Sequence, residues 1–549
     1  MTSRDDPRVL AFYRPSRVNG VAAAGARAAT LPNRWHPALL GPGIDEETMK
    51  ASPLALAPGL GAATWVPGTG AGAQVLRTIE FIREFGADVV VPNDLPVAFA
   101  AAAMLHHSGV RIAGWIHSDH LDGEDLVLRC GELADAWAGV SGGNTLHVQR
   151  TAAEHGLSLA PACEPVWACC ELPERVTPIG TDAGPIRLLF AGRLERMVKR
   201  ATDLVPLVRE LCIRGVDFRL TIAGTGPAEA HLRSALGDEI ASGLVAMPGV
   251  VPLSDIGAMV EAHDAVLLVS ESEGMPNVVM EAFVRGRPAL LTAGCGGAAS
   301  LVQLDGEAPG VVVPTGDATR MAEAVQSLAV DRLRLARMGQ AARRVGERYF
   351  DARVVGGRYQ TLVATAAASA GRVDLKSDAG IRTHWMRVRR AMTGVDGVCP
   401  ADLRALWEWW ARDADLAQPA GSDLPEWCEV PEVWSPSECR MRDALEELRR
   451  GGARRVAIYG AGAHTLKTAR AIRMYPEACV VLDDRAGTSS VPPAMLGLAV
   501  RAPAEISTID VDAIVISSDE HERDMLLLAS QFAGGRGIRT LYGAVRCSA

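Results

Sequence analysis

Two short apolar runs, Asp264-Ala-Val-Leu-Leu-Val269 and Ala289-Leu-Leu-Thr292, bracket a polar loop and a helix-length segment. Runs of this kind, without alternation, suit strands buried on both faces. The loop covers Ser270 to Met275, and Pro276 stands at the expected start of the helix, where proline is favoured. Gly286 followed by Pro288 closes it. A strand–loop–helix–strand order places the loop at the carboxyl end of a parallel strand, where ligands bind in open α/β sheets. Two carboxylates mark the place: Glu273 in the loop and Glu281 inside an otherwise apolar helix.

The same alternation runs through most of the chain, which predicts an α/β fold with parallel sheets covered on both faces. The early part reads as strand Arg8–Tyr13, a loop through Asn19 and Gly20, an Ala-rich helix to about Leu31, and strands at Asp88–Pro92, Val110–Ile116 and Ala136–Val140. Residues 164–184 are irregular and Pro-rich, as a linker would be. A second series follows, with strands at Ile186–Ala191, Phe218–Ala223 and Val245–Val251 before the opening unit. Four domains are expected: 1–183, 184–370, a helical connector at 371–435 holding six of the eleven tryptophans, and a small βα domain at 436–549. Aromatic clusters can stack on sugars or bases, but packing a connector onto its neighbours is the favoured role here.

Composition narrows the function. A net charge of −9 argues against nucleic acid or an anionic membrane surface as main partner. No run reaches the ~18 apolar residues that span a bilayer, and MTSRDDPRVL lacks a secretory pattern, so a cytoplasmic location is expected. The eleven cysteines include no C-x-x-C pair and read as free thiols. Lysine is rare, at Lys50, Lys199, Lys376 and Lys467 only, so one inside a motif carries weight.

Arg193 and Lys199 follow a buried strand and can neutralise a diphosphate; solvated charges beside Arg196 and Arg200 are the plainer alternative. Gly224-Thr225-Gly226 turns at the next strand end. The backbone of Gly274, Met275 and Asn277 opens a helix, where anions are favoured, and Gly274 allows close approach to the chain. Glu281 is satisfied either by paired ligand hydroxyls, as on a ribose, or by a surface ion pair with Arg285.

Taken together, FAGRLERMVKR (190–200), IAGTGP (222–227) and SESEGMPNVVMEA (270–282) resemble the retaining glycosyltransferases of family 4, with their Glu-x7-Glu pattern. The resemblance covers about residues 8–368 and implies the GT-B fold of two facing Rossmann-like lobes. It implies that Arg193 and Lys199 hold a donor diphosphate, that Glu273 with Gly274–Pro276 holds the sugar, and that Glu281 holds the ribose. Gly20 matches a Gly-rich first loop, with one glycine rather than a pair. His117 stands where the family often has a histidine near the reacting centre, and Ser141 matches a common serine after a strand, read as structural. A front-face transfer from a nucleotide-diphosphate sugar is implied, with no metal or other cofactor. The acceptor class is a glycan, glycolipid or polysaccharide precursor, with peripheral membrane contact compatible. The alternative is a degenerate GT-B protein that binds nucleotide or glycan without catalysis.

His117, Asp119 and His120 could converge as metal ligands, but loop clusters of this kind are usually solvated. Asp413-Ala-Asp415 and Asp510-Val-Asp512 imitate a metal-binding aspartate motif in the wrong surroundings. The last domain resembles small Rossmann-like domains attached to sugar-modifying enzymes. Gly460, Gly462 and His464 fall in a phosphate-type turn, Thr465 replaces a third glycine, and Asp483 or Asp484 stands where an acid meets a ribose. Nucleotide binding without catalysis and a purely structural domain both fit; an NAD-dependent activity is disfavoured, since no Tyr-x-x-x-Lys pair follows.

Overall fold

The computed structural model describes residues 7–15, 35–416 and 436–541, apart from 53, 56, 58, 118–120, 168–169, 171, 183, 197, 303–307, 372–373, 396–397, 463, 466–467, 476, 489–491 and 519–521. The expected Gly20 loop with its helix, Asp119, His120, Trp427, Trp434 and Lys467 therefore lie outside the described residues. The chain forms two compact units, Met1–Pro431 and Glu432–Ala549.

The first unit holds two six-stranded sheets. One consists of β1 (Val9–Tyr13), β2 (Trp35–Pro42), β3 (Gly61–Trp65), β4 (Val89–Val91), β5 (Arg111–Ile116) and β6 (Ala136–Gly139), in the order β3-β2-β1-β4-β5-β6. The other consists of β7 (Ile186–Ala191), β8 (Phe218–Ala223), β9 (Val245–Gly249), β10 (Ala265–Leu268), β11 (Ala289–Thr292) and β12 (Gly310–Val313), in the order β12-β11-β10-β7-β8-β9. All ten pairings are parallel. Each sheet is doubly wound and reverses its strand order once, between β1 and β4 and between β7 and β10. Ligands of such sheets sit at that reversal, off the carboxyl ends of the strands. Every residue of β10 and β11 is buried, as their unbroken apolar runs require.

Strand β2, helix Glu46–Ala51 and helix Gly142–Glu154 are among the first-lobe elements that the sequence expectations lacked. Strand β2 contains Pro37 and Pro42, which weaken a strand pattern, yet it pairs with both β1 and β3. Helix Gly142–Glu154 opens on two glycines and has little apolar patterning, and Ser141 caps it by accepting from Asn144 N at 3.0 Å. The structural role expected of Ser141 is this cap.

Segment 164–184 is irregular and is fixed to the second lobe by arginines that reach its carbonyls. Buried Arg287 donates to Thr177 O at 2.8 Å and also to Glu261 O and His263 O, while Arg332 reaches Gly184 O at 2.5 Å. At Cys170 and Asp351 the two crossings between the lobes run side by side in a parallel bridge. Helix Ala352–Ala367 then returns to pack on β5 and β6. Helices Asp378–Met392 and Pro400–Asp413 continue that lobe and share its core. Trp385, Trp407 and Trp410 are buried there against one another, with ring centroids 5.1–5.9 Å apart, so these three rings are packing and not a sugar platform.

The second unit has one sheet, β13 (Val456–Tyr459), β14 (Ala478–Leu482), β15 (Ala494–Met495), β16 (Leu498–Arg501), β17 (Ala513–Ile516) and β18 (Gly537–Arg539), ordered β15-β16-β14-β13-β17-β18. Only β15 runs antiparallel. Separate apolar clusters cover its two faces, one of them built on helix Pro436–Arg450. Its strand order reverses between β13 and β17.

Candidate active site

Two loops of the first unit meet at the reversal of the second sheet. The loop after β10 carries Ser270, Glu271 and Glu273; the loop after β7 carries Arg193, Lys199 and Arg200. They are joined backbone to backbone, Glu271 N donating to Val198 O at 2.8 Å. Arg200, with a left-handed backbone (φ 46°), bonds Asp203 and Glu271, each at 2.8 Å. Lys199 Nζ donates to Glu273 Oε1 at 2.5 Å, and Ser270 Oγ donates to the same oxygen at 2.7 Å. The Lys199 and Glu273 side chains are only 17% and 10% exposed, so the pair is sheltered but reachable. A cation and a carboxylate held side by side in low dielectric can grip the two halves of an activated sugar, the anionic leaving group and the neutral hydroxyls.

Arg193 is more exposed than Lys199. It follows the same strand, but its guanidinium pairs with Glu195 and is 59% exposed. Lys199 and Glu273 are thus brought together, and Arg193 stands at the rim.

The glycines of the motifs serve close packing between loops. A Cβ on Gly224 (φ 135°) would lie 1.9 Å from Gly192 O, and one on Gly226 would lie 2.6 Å from Leu194 O. The Gly224-Thr225-Gly226 turn is therefore pressed against the Gly192–Leu194 backbone, and Thr225 O accepts from Leu194 N at 2.9 Å. At Gly274 the close approach is by the other lobe and not by a free path to ligand: a Cβ would meet His117 O at 2.5 Å and Val140 Cγ2 at 3.1 Å. Gly297 repeats this, with Ser141 Cβ at 2.4 Å and Gly274 O at 2.6 Å. These contacts set the second lobe's ligand loop directly against the carboxyl ends of β5 and β6.

Helix Asn277–Val284 begins one residue later than expected, because Pro276 is extended (ψ 121°) and caps it. Met275 is half-buried against the second lobe's core, and Asn277 opens the helix. Glu281 is buried and pairs with Arg285, as one of its two readings required, but the pair is not on the surface: the side chains are 6% and 14% exposed. Arg285 also faces Glu261 at 3.5 Å.

From the first lobe, His117 follows β5 with its ring against Trp115, centroids 4.4 Å apart. Its Nε2 lies 2.9 Å from Asn93 Oδ1. Burial drives its pKa down from 6.5 to about 3, so the imidazole is neutral at physiological pH. Asn93 was missed by the sequence reading, although Pro92-Asn93-Asp94 just after a buried strand was a visible signal. Among the described residues no three His, Cys, Asp or Glu are grouped to hold a metal. Asp413 is used instead by His107 at 2.9 Å and by Arg83, and Asp512 by the amides of Arg454 and Arg455.

In the second unit, Gly460 (φ 119°) lies at the strand-order reversal, where a Cβ would meet Ser517 O at 2.8 Å. Gly462 has open space around it. His464 is buried with Nδ1 3.0 Å from Ser517 Oγ, and Thr465 donates to Gly460 O at 2.5 Å. Asp483, the candidate for a ribose contact, is engaged by its own neighbours in this structure. Its carboxylate accepts from Ala461 N at 2.8 Å and pairs with Arg485 at 3.0 Å, which also holds its pKa below the usual carboxylate range.

Residues 175–345 match the family model for glycosyl transferases group 1. The Escherichia coli (strain K12) protein WcaL, provisionally named a colanic acid biosynthesis glycosyltransferase, is 31% identical over 185 residues, 32% of this chain and 45% of WcaL. An alpha-D-kanosaminyltransferase of Streptomyces kanamyceticus is 32% identical over 161 residues, 29% of this chain and 40% of that protein. The chain thus spans less than half the length of these curated relatives. Among solved structures, Anabaena Alr3699/HepE in complex with UDP superposes with a TM-score of 0.52 at 15% identity, covering 65% of this chain and 100% of that one. Sucrose-phosphate synthase from Thermosynechococcus elongatus gives 0.51 at 16%, covering 66% and 100%. At such identities the likeness concerns the fold, and the two facing doubly wound lobes of the first unit are the GT-B fold.

Proposed function

We propose that this chain is a retaining, family 4 type glycosyltransferase that moves a sugar from a nucleotide-diphosphate donor to a hydroxyl of a glycan, glycolipid or polysaccharide precursor. The observation that carries this reading is the sheltered Lys199–Glu273 pair at the strand-order reversal, pressed by Gly274 against the His117 end of the opposite lobe. The names of the relatives and the UDP in the HepE structure support the same class of donor.

In this reading the diphosphate lies over the start of helix Asn277–Val284 and is neutralised by Lys199, with Arg193 turning in from Glu195. Negative charge grows on the leaving phosphate as the glycosidic bond breaks, so these cations are worth most in the transition state. Glu273 and the Gly274–Pro276 backbone hold the sugar, and Glu281 exchanges its Arg285 contact for the ribose hydroxyls. The leaving phosphate helps to deprotonate the acceptor on the same face, which keeps the anomeric configuration. Two cations do the work of a divalent ion, and the enzyme acts in the cytoplasm.

For the second unit, Gly460, Gly462, His464 and Asp483 are the residues proposed to meet a nucleotide, supported by their place at the strand-order reversal. Calorimetry on the full chain with NAD and with nucleotide sugars tests this.

The transferase reading is tested by a screen of nucleotide sugars for diphosphate release, followed by NMR of the product. Release from at least one donor, unchanged by a chelator, with the donor's anomeric configuration kept, is expected. An inverted product overturns the retaining mechanism, and no release from any donor overturns the activity in favour of a binding protein.

A further inference from the structure

Asn93 lies two residues beyond β4 and is fully buried, with its backbone left-handed (φ 51°), a conformation asparagine tolerates better than most residues. Its amide bridges the ends of two other strands. Nδ2 lies 2.7 Å from Phe12 O on β1, and Oδ1 lies 2.9 Å from His117 Nε2 beyond β5. A main-chain carbonyl can only accept, so the nitrogen of the amide must face Phe12 and the oxygen must face His117. That oxygen in turn can only accept, so Nε2 of His117 must carry the proton. Nδ1 is then the lone-pair nitrogen, and it takes no hydrogen bond among the described residues.

We propose that Asn93 is a positioning residue that locks His117 in the Nε2–H tautomer, so that Nδ1 serves as an acceptor for a neutral sugar hydroxyl. The deduction runs from one fixed point, Phe12 O, through an amide that cannot turn over, to one ring nitrogen. A neutral acceptor of this kind favours a hydroxyl, which donates, and disfavours a carboxylate or phosphate oxygen, which would face it lone pair to lone pair. The burial that keeps the ring neutral maintains the discrimination. The place of the hydroxyl on a donor or acceptor sugar rests on the transferase reading; the tautomer does not.

The test uses the full chain with 15N-labelled histidine, in which two-bond nitrogen–proton correlations distinguish the tautomers. His117 is assigned by the signal lost in His117→Gln. The wild type is expected to show Nε2–H at neutral pH. Asn93→Gly, which suits the left-handed backbone, is expected to give a mixture of tautomers, and Asn93→Asp, which sets a carboxylate there, to keep the Nε2 proton while drawing the ring toward the imidazolium. An Nδ1–H wild type, or a pure Nε2–H signal in Asn93→Gly, overturns the proposal. With a donor selected by diphosphate release, a deoxy analogue at one position should lose about tenfold in kcat/KM, and that difference should vanish in His117→Ala. Deoxy analogues that all equal the parent overturn the hydroxyl role. If no donor is released, the transferase reading fails while the tautomer result still decides the role of Asn93.

Discussion

Lys199 is one of four lysines in the chain, and its ammonium spends its charge on Glu273. Removing it leaves a sheltered carboxylate without its cation and, in the proposed reaction, takes a cation away from the growing phosphate charge. Lys199→Ala should therefore cut donor turnover by about 10²–10³-fold, the scale of losing one transition-state donor. Gly274 makes a different prediction. Gly274→Ala puts a methyl group 2.5 Å from His117 O, a backbone atom that cannot yield cheaply. Turnover should fall, since the Gly274 loop and the His117 end of β5 must part to admit the methyl. An unchanged kcat/KM would contradict that. Both residues were legible in the sequence, but their geometry was not. Motif spacing placed Glu273, Gly274 and Glu281 in one loop and helix. That Gly274 meets the opposite lobe, and that Arg193 turns to Glu195, depends on contacts between residues far apart in the chain. The partners of Asn93 were hidden for the same reason: Phe12 O and His117 both lie far from it in sequence, although its place after a buried strand was visible.

Among elements, the strands were the most legible, because a strand buried on both faces advertises itself as an apolar run. Strands β8 and β11 fall on the expected residues, Phe218–Ala223 and Ala289–Thr292. Strand β2 was hidden by its prolines, and helix Gly142–Glu154 by its glycines and polar face. The tryptophan helices show what patterning alone leaves open. An aromatic cluster reads equally as a binding platform until burial decides, and Trp385 and Trp410 are fully buried. Trp385→Ala should cost about 3–5 kcal/mol, seen as a lower urea midpoint for the first unit. The same helix carries His384, buried with Nε2 donating to Ala103 O at 2.9 Å, and burial lowers its pKa from 6.5 to about 3. A depressed histidine pKa means that the unfolded chain takes up a proton that the folded chain refuses. Stability from this group is full above pH 6.5 and falls as the pH drops from there toward 3. His384→Gln should flatten the stability–pH slope over that range, measured by urea unfolding at successive pH values; an equal slope would contradict the assignment.

Across the whole molecule, three sheets reverse their strand order once each, and each reversal brings chemistry-bearing residues to the strand ends. In the first unit these are Asn93 with His117, and Lys199 with Glu273; in the second they are Gly460 with Ser517. Alternating strands and helices made this architecture readable from the sequence. The second compact unit starts at Glu432, and its first described helix is Pro436–Arg450. The second unit has cores on both faces of its own sheet, so Glu432–Ala549 should fold alone and unfold cooperatively in a thermal melt. The central claim is that Lys199, Glu273 and Glu281 form the donor half of a sugar-transfer site. It is tested most directly by nucleoside diphosphate release from the preferred donor by the wild type, Lys199→Ala and Glu281→Ala, each shown to be folded by its melting curve. The account predicts turnover by the wild type and a loss of at least about 10²-fold in both variants. Near-normal release by both variants would contradict it.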